Sequence, residues 1–267
     1  MPNIIRIDDP ADPRVAPYLA VRERDLVGRG EGFIAEGEVV LRVLLGAGAR
    51  AKAASVLVAE SRLARLAPLL RPLTADIPVY AASQAVMDRV VGFHIHRGIL
   101  ALGVRPPDPG AAALVAGLPA RALVLALFGI ANHDNMGGLL RNAAAFGADA
   151  VLLDPACCDP LYRKAIRVSV GAALTVPFAR LGQGEDALDL LQGAGFEAMA
   201  LSPAGGEPLT EVARAPRVAA LFGAEGPGLP ADVLARARRV AIPMAPGWDS
   251  LNVAAASAVV LHHLATR

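Results

Sequence analysis

Cysteine, lysine and aromatic residues are all scarce in this chain, and each scarcity narrows what the chain can be. Its only two cysteines, Cys157 and Cys158, are adjacent. Neighbours in sequence rarely bridge and do not build a metal site alone, which excludes a disulfide-stapled or zinc-ribbon fold. A redox role for the pair has no second feature behind it. Lys52 and Lys164 are the only lysines, and the formal net charge is +1. The chain is therefore no bulk polycation, and any polyanion would have to be met by a local basic patch. No apolar run approaches the ~20 residues needed to span a bilayer. The opening Met1-Pro2-Asn3-Ile4-Ile5-Arg6 runs into Asp8-Asp9 without the apolar stretch of a signal peptide, so a cytoplasmic location is expected.

What is plentiful is aliphatic. Hydrophobic residues make up 54% of the 267 and charged residues 19%, enough for a sizeable core and too apolar for wholesale disorder. That length allows one large or two modest domains. The segment Val104-Arg105-Pro106-Pro107-Asp108-Pro109-Gly110 is dense in helix breakers, and the Ala/Leu stretch after it ends at Gly117-Leu118-Pro119. The pattern predicts domains over 1–104 and 120–267, joined by a linker over 105–119.

Both halves alternate apolar strands with helical patterns, the mark of an α/β fold. Upstream, Phe33–Ala35, Ser55–Val58, Ile77–Tyr80 and Gly98–Leu102 read as strands. Between them lie a helix with Val39, Val40, Val43 and Leu44 as its apolar face and a second over Leu63–Leu70, giving a small sandwich on a parallel or mixed sheet. Downstream, Ala122–Leu127, Ala150–Leu153, Glu197–Leu201, Val218–Phe222 and Arg239–Ile242 read as strands built on continuous apolar runs, which implies a sheet covered on both faces. Helices are predicted over Gly138–Phe146, Leu161–Val168, Glu185–Gly193 and Leu251–Leu264.

Three blocks sit where a downstream strand ends and a turn or helix begins, the place where open α/β sheets hold ligands. The first is Asn132-His133-Asp134-Asn135-Met136-Gly137, running on to Arg141. A helix starting near Gly137 puts Arg141 about one turn in, and Asn135 serves equally as its cap or as a site residue. The second is Gly223-Ala224-Glu225-Gly226-Pro227-Gly228, a single carboxylate among glycines that let a backbone approach a ligand, or a plain turn. The third is Ile242-Pro243-Met244 followed by Ser250-Leu251-Asn252-Val253. Ser250 reads as an N-cap, and Asn252 is a polar residue on an otherwise Val/Ala helix whose amide needs partners.

In this order the blocks resemble the three motifs of the SpoU (TrmH) family, RNA ribose 2′-O-methyltransferases of the SPOUT superfamily. The resemblance implies a deep trefoil knot in the C-terminal α/β domain, a fold that topology rules would not suggest. It implies S-adenosyl-L-methionine as cofactor, held by Gly223, Ile242, Met244 and Leu251, with Leu201 and Gly228 as further walls. It implies a catalytic group of Arg141, Asn135, Glu225, Ser250 and Asn252. RNA, tRNA or rRNA, is the implied substrate, and a homodimer with sites shared across the interface the implied assembly. Phe33-Ile34-Ala35-Glu36-Gly37 before an apolar helix resembles the opening of the L30e-like substrate-binding domain fused to many such enzymes.

RNA contacts are expected at Arg22, Arg24 and Arg29 ahead of that opening, and at Tyr162, Arg163, Lys164 and Arg167. The latter four form either a rim for phosphates and a base or one face of a solvated amphipathic helix. His94-x-His96 has no further ligand beside it, so no metal is expected. The Ser-Leu-Asn block with the Asn–Arg pair favours ribose over base methylation. Seven Phe, three Tyr and one Trp supply a base-flipping cage poorly. The remaining alternative is a non-catalytic RNA-binding protein with a degenerate catalytic domain, which the filled motif positions disfavour.

Overall fold

The computed structural model describes residues 2–19, 32–203, 205–248 and 250–266. They fall into two compact units, Met1–Pro106 with Leu161–Thr175, and Pro107–Pro160 with Val176–Arg267.

In chain order the first unit has β1 (Ile4–Ile7), β2 (Gly32–Glu36), α1 (Glu38–Leu44), β3 (Lys52–Ala59), α2 (Leu63–Leu70), β4 (Val79–Ala82), α3 (Gln84–Val91) and β5 (Ile99–Val104). Its sheet has the order β1-β4-β3-β5-β2. β1, β4 and β3 run parallel, and β5 lies antiparallel to both β3 and β2. The mixed sheet agrees with the strand reading, which missed β1 and α3. α3 is bounded by ordinary chemistry: Ser83 accepts from the Val86 amide at its start, and Gly92, at φ 80°, ends it in the left-handed region. The apolar face predicted for α1 is rotated. Val40, Leu41 and Leu44 are buried while Val39 is 56% exposed, because the helix begins at Glu38 and turns Val39 outward. In the core, the Tyr18 hydroxyl lies 2.7 Å from Ser55 Oγ and accepts from the Leu102 amide. Burial pushes its pKa well above the usual phenol value.

The second unit opens with α4 (Ala111–Ala116), followed by β6 (Ala122–Leu127), α5 (His133–Ala145) and β7 (Ala150–Leu153). The chain then forms α6 (Arg163–Val168), part of the first unit. It continues in the second with β8 (Phe178–Arg180), α7 (Ala187–Gly193), β9 (Glu197–Leu201), β10 (Glu207–Pro208), β11 (Arg217–Phe222), α8 (Ala231–Arg236), β12 (Arg238–Ala241) and α9 (Val253–Ala265). The seven strands take the order β10-β12-β9-β11-β6-β7-β8, and every neighbouring pair is parallel. All six residues of β6 and all four of β7 are buried, as continuous apolar strands between two layers of helix require. No helix among the described residues is long and apolar enough to cross a membrane.

Two stretches differ from expectation. Within 105–119, α4 is no solvated connector: Ala111 and Val115 are buried in the second unit's core with Leu152, Leu188 and Leu191. A short Ala/Leu helix between prolines looks like spacer, yet its period brings two small residues onto one buried face. The segment Leu161–Thr175 clusters with the first unit, through charge as well as packing. Arg163 Nη1 donates to Glu36 Oε2 at 2.7 Å, with their side chains 11% and 8% exposed, and Arg167 Nη1 stands 3.8 Å from the same oxygen. The Arg163 guanidinium also lies over the Phe93 ring at 5.4 Å.

Candidate functional site

β9, β11 and β12 are neighbours, and their carboxyl ends release three loops on the same edge of the sheet. A cavity of about 580 Å³ opens there. Leu201, Phe222, Val240, Ile242, Met244, Leu251 and Val253 give it apolar walls, and Ser202, Glu225, Ser250 and Asn252 supply its polar groups.

The loop after β11 is tight for a steric reason. Its chain doubles back so that the Gly228 amide donates to the Ala224 carbonyl at 2.9 Å, with Gly226 at φ 88° and Gly228 at φ 71°. A Cβ on Gly223 would stand 2.1 Å from the Gly228 carbonyl carbon and 2.3 Å from the Leu229 nitrogen. Only glycine fits there.

Asn252 knits this loop to two helices. Its Nδ2 donates to Glu225 Oε1 at 2.8 Å and to Asn135 Oδ1 at 2.9 Å. Its Oδ1 accepts from the amides of Ala254 and Ala255, which makes Asn252 the N-cap of α9. The cap is therefore Asn252 and not Ser250, and Asn252 precedes the helix instead of lying within it. Ser250 lines the cavity. The start of α5 is displaced in the same way. Asn132 caps it, accepting from Asp134 and Asn135, so the helix begins at His133 and buries Asn135 in its first turn. The helix runs through Gly137-Gly138 despite the low helix propensity of glycine, and packing demands a glycine at 138. A Cβ on Gly138 would lie 2.6 Å from the Ala254 Cβ.

Asn142 was missed by sequence reasoning. Its Nδ2 donates to the Ala254 carbonyl at 2.7 Å and to Ser257 Oγ at 2.8 Å, fixing α5 against α9 in register. The available signal was an amide beside the Ala143–Ala145 run of α5 and a serine in the aliphatic part of α9, each needing a partner once buried.

All six residues expected to hold a cofactor line the cavity: Leu201, Gly223, Gly228, Ile242, Met244 and Leu251. Of the five expected to be catalytic, Glu225, Ser250 and Asn252 line it and Asn135 is bonded to Asn252. Arg141 is not brought there. It lies just over two turns into α5, is exposed, and its side chain holds no hydrogen bond or ion pair among the described residues.

The four residues of the expected RNA rim over 162–167 are placed differently from one another. Tyr162 is only 8% exposed and cannot offer a ring face to a base, while Arg163 is held by Glu36. An arginine facing a buried carboxylate is bound by it more firmly than by solvent. Arg167 and Lys164 keep partial exposure. Arg22, Arg24 and Arg29 lie outside the described residues.

The cysteines are structural. Cys157 Sγ donates to the Leu127 carbonyl and accepts from the Ile130 amide, both at 3.3 Å, tying the loop after β7 to the loop that leads into α5. Burial pushes its thiol up to about 12 and that of Cys158 to about 11, far from a reactive thiolate at neutral pH. Arg180 secures the same loop by donating to the carbonyls of Asp154, Pro155, Cys157 and Cys158. His94 Nδ1 sits 2.7 Å from Asp88 Oδ2. No cluster of three or more His, Cys, Asp or Glu placed to hold a metal occurs among the described residues.

The model of the SpoU rRNA methylase family matches residues 122–262, from the first residue of β6 into α9 and across all three blocks. The chain belongs to the SpoU family. It is 42% identical over 264 residues to an uncharacterized tRNA/rRNA methyltransferase of Mycobacterium bovis, covering 95% of this chain and 89% of that one. Among solved structures, an RNA 2′-O ribose methyltransferase superposes with a TM-score of 0.78 at 27% identity, covering 97% of this chain and 98% of that one. An AdoMet-bound rRNA methyltransferase of Sinorhizobium meliloti superposes with a TM-score of 0.77 at 22% identity, covering 98% and 97%, a likeness of fold. The α/β architecture of this SpoU protein is thus shared along nearly its whole length.

Proposed function

We propose that this SpoU-family chain is an S-adenosyl-L-methionine-dependent RNA methyltransferase acting on a ribose 2′-hydroxyl of tRNA or rRNA. The observation that carries the reading is the Asn252 amide. It bridges Asn135 and Glu225 at the edge of a cavity walled by the six residues expected to meet the cofactor. Family membership supports the RNA substrate. The 27%-identical neighbour named as a 2′-O ribose enzyme supports the acceptor.

The residues present suit the cofactor. The cavity volume falls within the about 300–1,000 Å³ of small-molecule sites, with apolar walls for an adenosine and a few polar groups at one side. The clash that any Cβ would make at Gly223 leaves the strand end bare for close backbone approach. When bound, the cofactor supplies an electrophilic methyl group on a sulfonium whose positive charge is lost on transfer, chemistry that a dry site favours. The chain's part is to orient the ribose and stabilise charge on its oxygen. Asn252, with both ends of its amide engaged, is a rigid post beside which Glu225 and Ser250 hold the sugar in register. Arg141 is the cation for the incipient alkoxide, since a guanidinium offers donors and no acceptor and is a poor base. Its exposure on α5 fits a homodimer in which it completes the partner's site.

In the same reading the stretch 242–252 and α9 form the knotted part of a SPOUT domain over 120–267. Residues 1–104 form an L30e-like domain that adds RNA affinity, with the join at 105–119 shortened by α4, and the enzyme works in the cytoplasm. Mapping 2′-O-methyl positions across cellular RNA with and without the gene tests the proposal. One or a few positions should lose their methyl group, and an unchanged map would refute it.

A further inference from the structure

Trp248 is the only tryptophan of the chain and, at 76%, the most exposed large apolar side chain among the described residues. It stands on a turn closed by its own amide donating to the Ala245 carbonyl at 3.2 Å, next to Gly247 at φ 87°. Met244, just before the turn, and Ser250, two residues after Trp248 in sequence, both line the cavity. Beside it Leu251 is 47% exposed. An indole left in water at a cavity rim forgoes the burial that places most tryptophans in cores, which marks a contact surface.

We infer that Trp248 is a stacking platform for a nucleobase of the RNA next to the ribose being methylated. The inference rests on the proposed RNA substrate and adds a residue that sets its affinity. A sugar presented to Asn252 and Glu225 keeps its bases outside the apolar cavity. Trp248 lies four residues before Asn252 in sequence, and its side chain is exposed. Every base has a π-face, so stacking holds the strand without demanding a base-specific slot. The platform is a single ring and not a cage, consistent with a sugar-directed reaction.

Because the tryptophan is unique, its fluorescence reports this position alone. The probes are bulk rRNA and bulk tRNA from cells lacking the gene, with heparin as a polyanion without bases. The full-length protein should show saturable quenching by RNA and none by heparin. Trp248→Ala should raise KM for RNA about tenfold, in the range lost with one base–aromatic stack, with kcat and cofactor affinity kept. Trp248→Phe should recover most of the loss. An unchanged KM in Trp248→Ala while RNA is still methylated would overturn the stacking role alone. So would an emission in the free protein that moves to the red on dilution, since the ring would then be covered by a second copy. Absence of methyl transfer to either RNA by the unaltered protein would remove the underlying reading and this inference with it.

Discussion

Arg141→Ala is expected to slow methyl transfer by about a hundred- to a thousandfold, the cost of removing one preorganised donor from a developing oxyanion. Cofactor affinity should stay within about twofold, since Arg141 is absent from the cavity wall. Calorimetry with S-adenosylmethionine and single-turnover kinetics separate the two effects. Parallel loss of binding and turnover would make the residue structural. The geometry adds a sharper expectation. On α5, Arg141 lies six residues beyond Asn135, which turns it about 120° from that residue and carries it roughly 9 Å along the axis. A side chain so placed does not converge with Asn135 on one cavity, whereas in the proposed homodimer the second protomer would receive it. Mixing Arg141→Ala with a variant unable to bind cofactor should then restore part of the activity, because one protomer supplies the pocket and the other the guanidinium.

Gly223→Ala is the natural partner for that mixture and carries the second large effect. Its Cβ would overlap the Gly228 carbonyl carbon at 2.1 Å and the Leu229 nitrogen at 2.3 Å, both backbone atoms that cannot swing aside. Relief requires the Gly223–Gly228 turn to open, which separates Glu225 from Asn252 and deforms the cavity wall. Overpacking of this kind costs about 1–3 kcal/mol. Cofactor affinity should fall at least about tenfold, and circular dichroism should still report a folded sheet, because the core strands lie behind the turn. Full cofactor affinity in Gly223→Ala would show that the loop is not the pocket wall.

The longer strands of the second unit were legible because each carries a continuous apolar run, and β6, β7 and β9 match their expected limits to the residue. β8 and β10, three and two residues long, carry too little pattern to be seen. The two misplaced caps share one cause. Serine and asparagine are both good caps, and only tertiary contacts decide which of two candidates starts the helix. Asn252 takes that role because Glu225 and Asn135, remote in sequence, fix its other end. Six residues of the cavity lining could be named in advance because the motif resemblance carried them. The ion pair of Arg163 was not legible in the sequence for a physical reason: charge at helical spacing looks alike whether it faces water or a buried carboxylate, and Glu36 is more than a hundred residues away.

The acceptor atom is the central claim, and the fate of the methyl group under alkali tests it most directly. A methyl on a 2′-oxygen removes the nucleophile that alkali uses to cleave the adjacent phosphodiester, so that bond survives. RNA from cells lacking the gene, labelled by this protein with methyl-tritiated cofactor and hydrolysed in alkali, should release its label in alkali-stable dinucleotides. Label recovered as a methylated base in mononucleotides would contradict the ribose assignment and leave a SpoU fold working on a different atom.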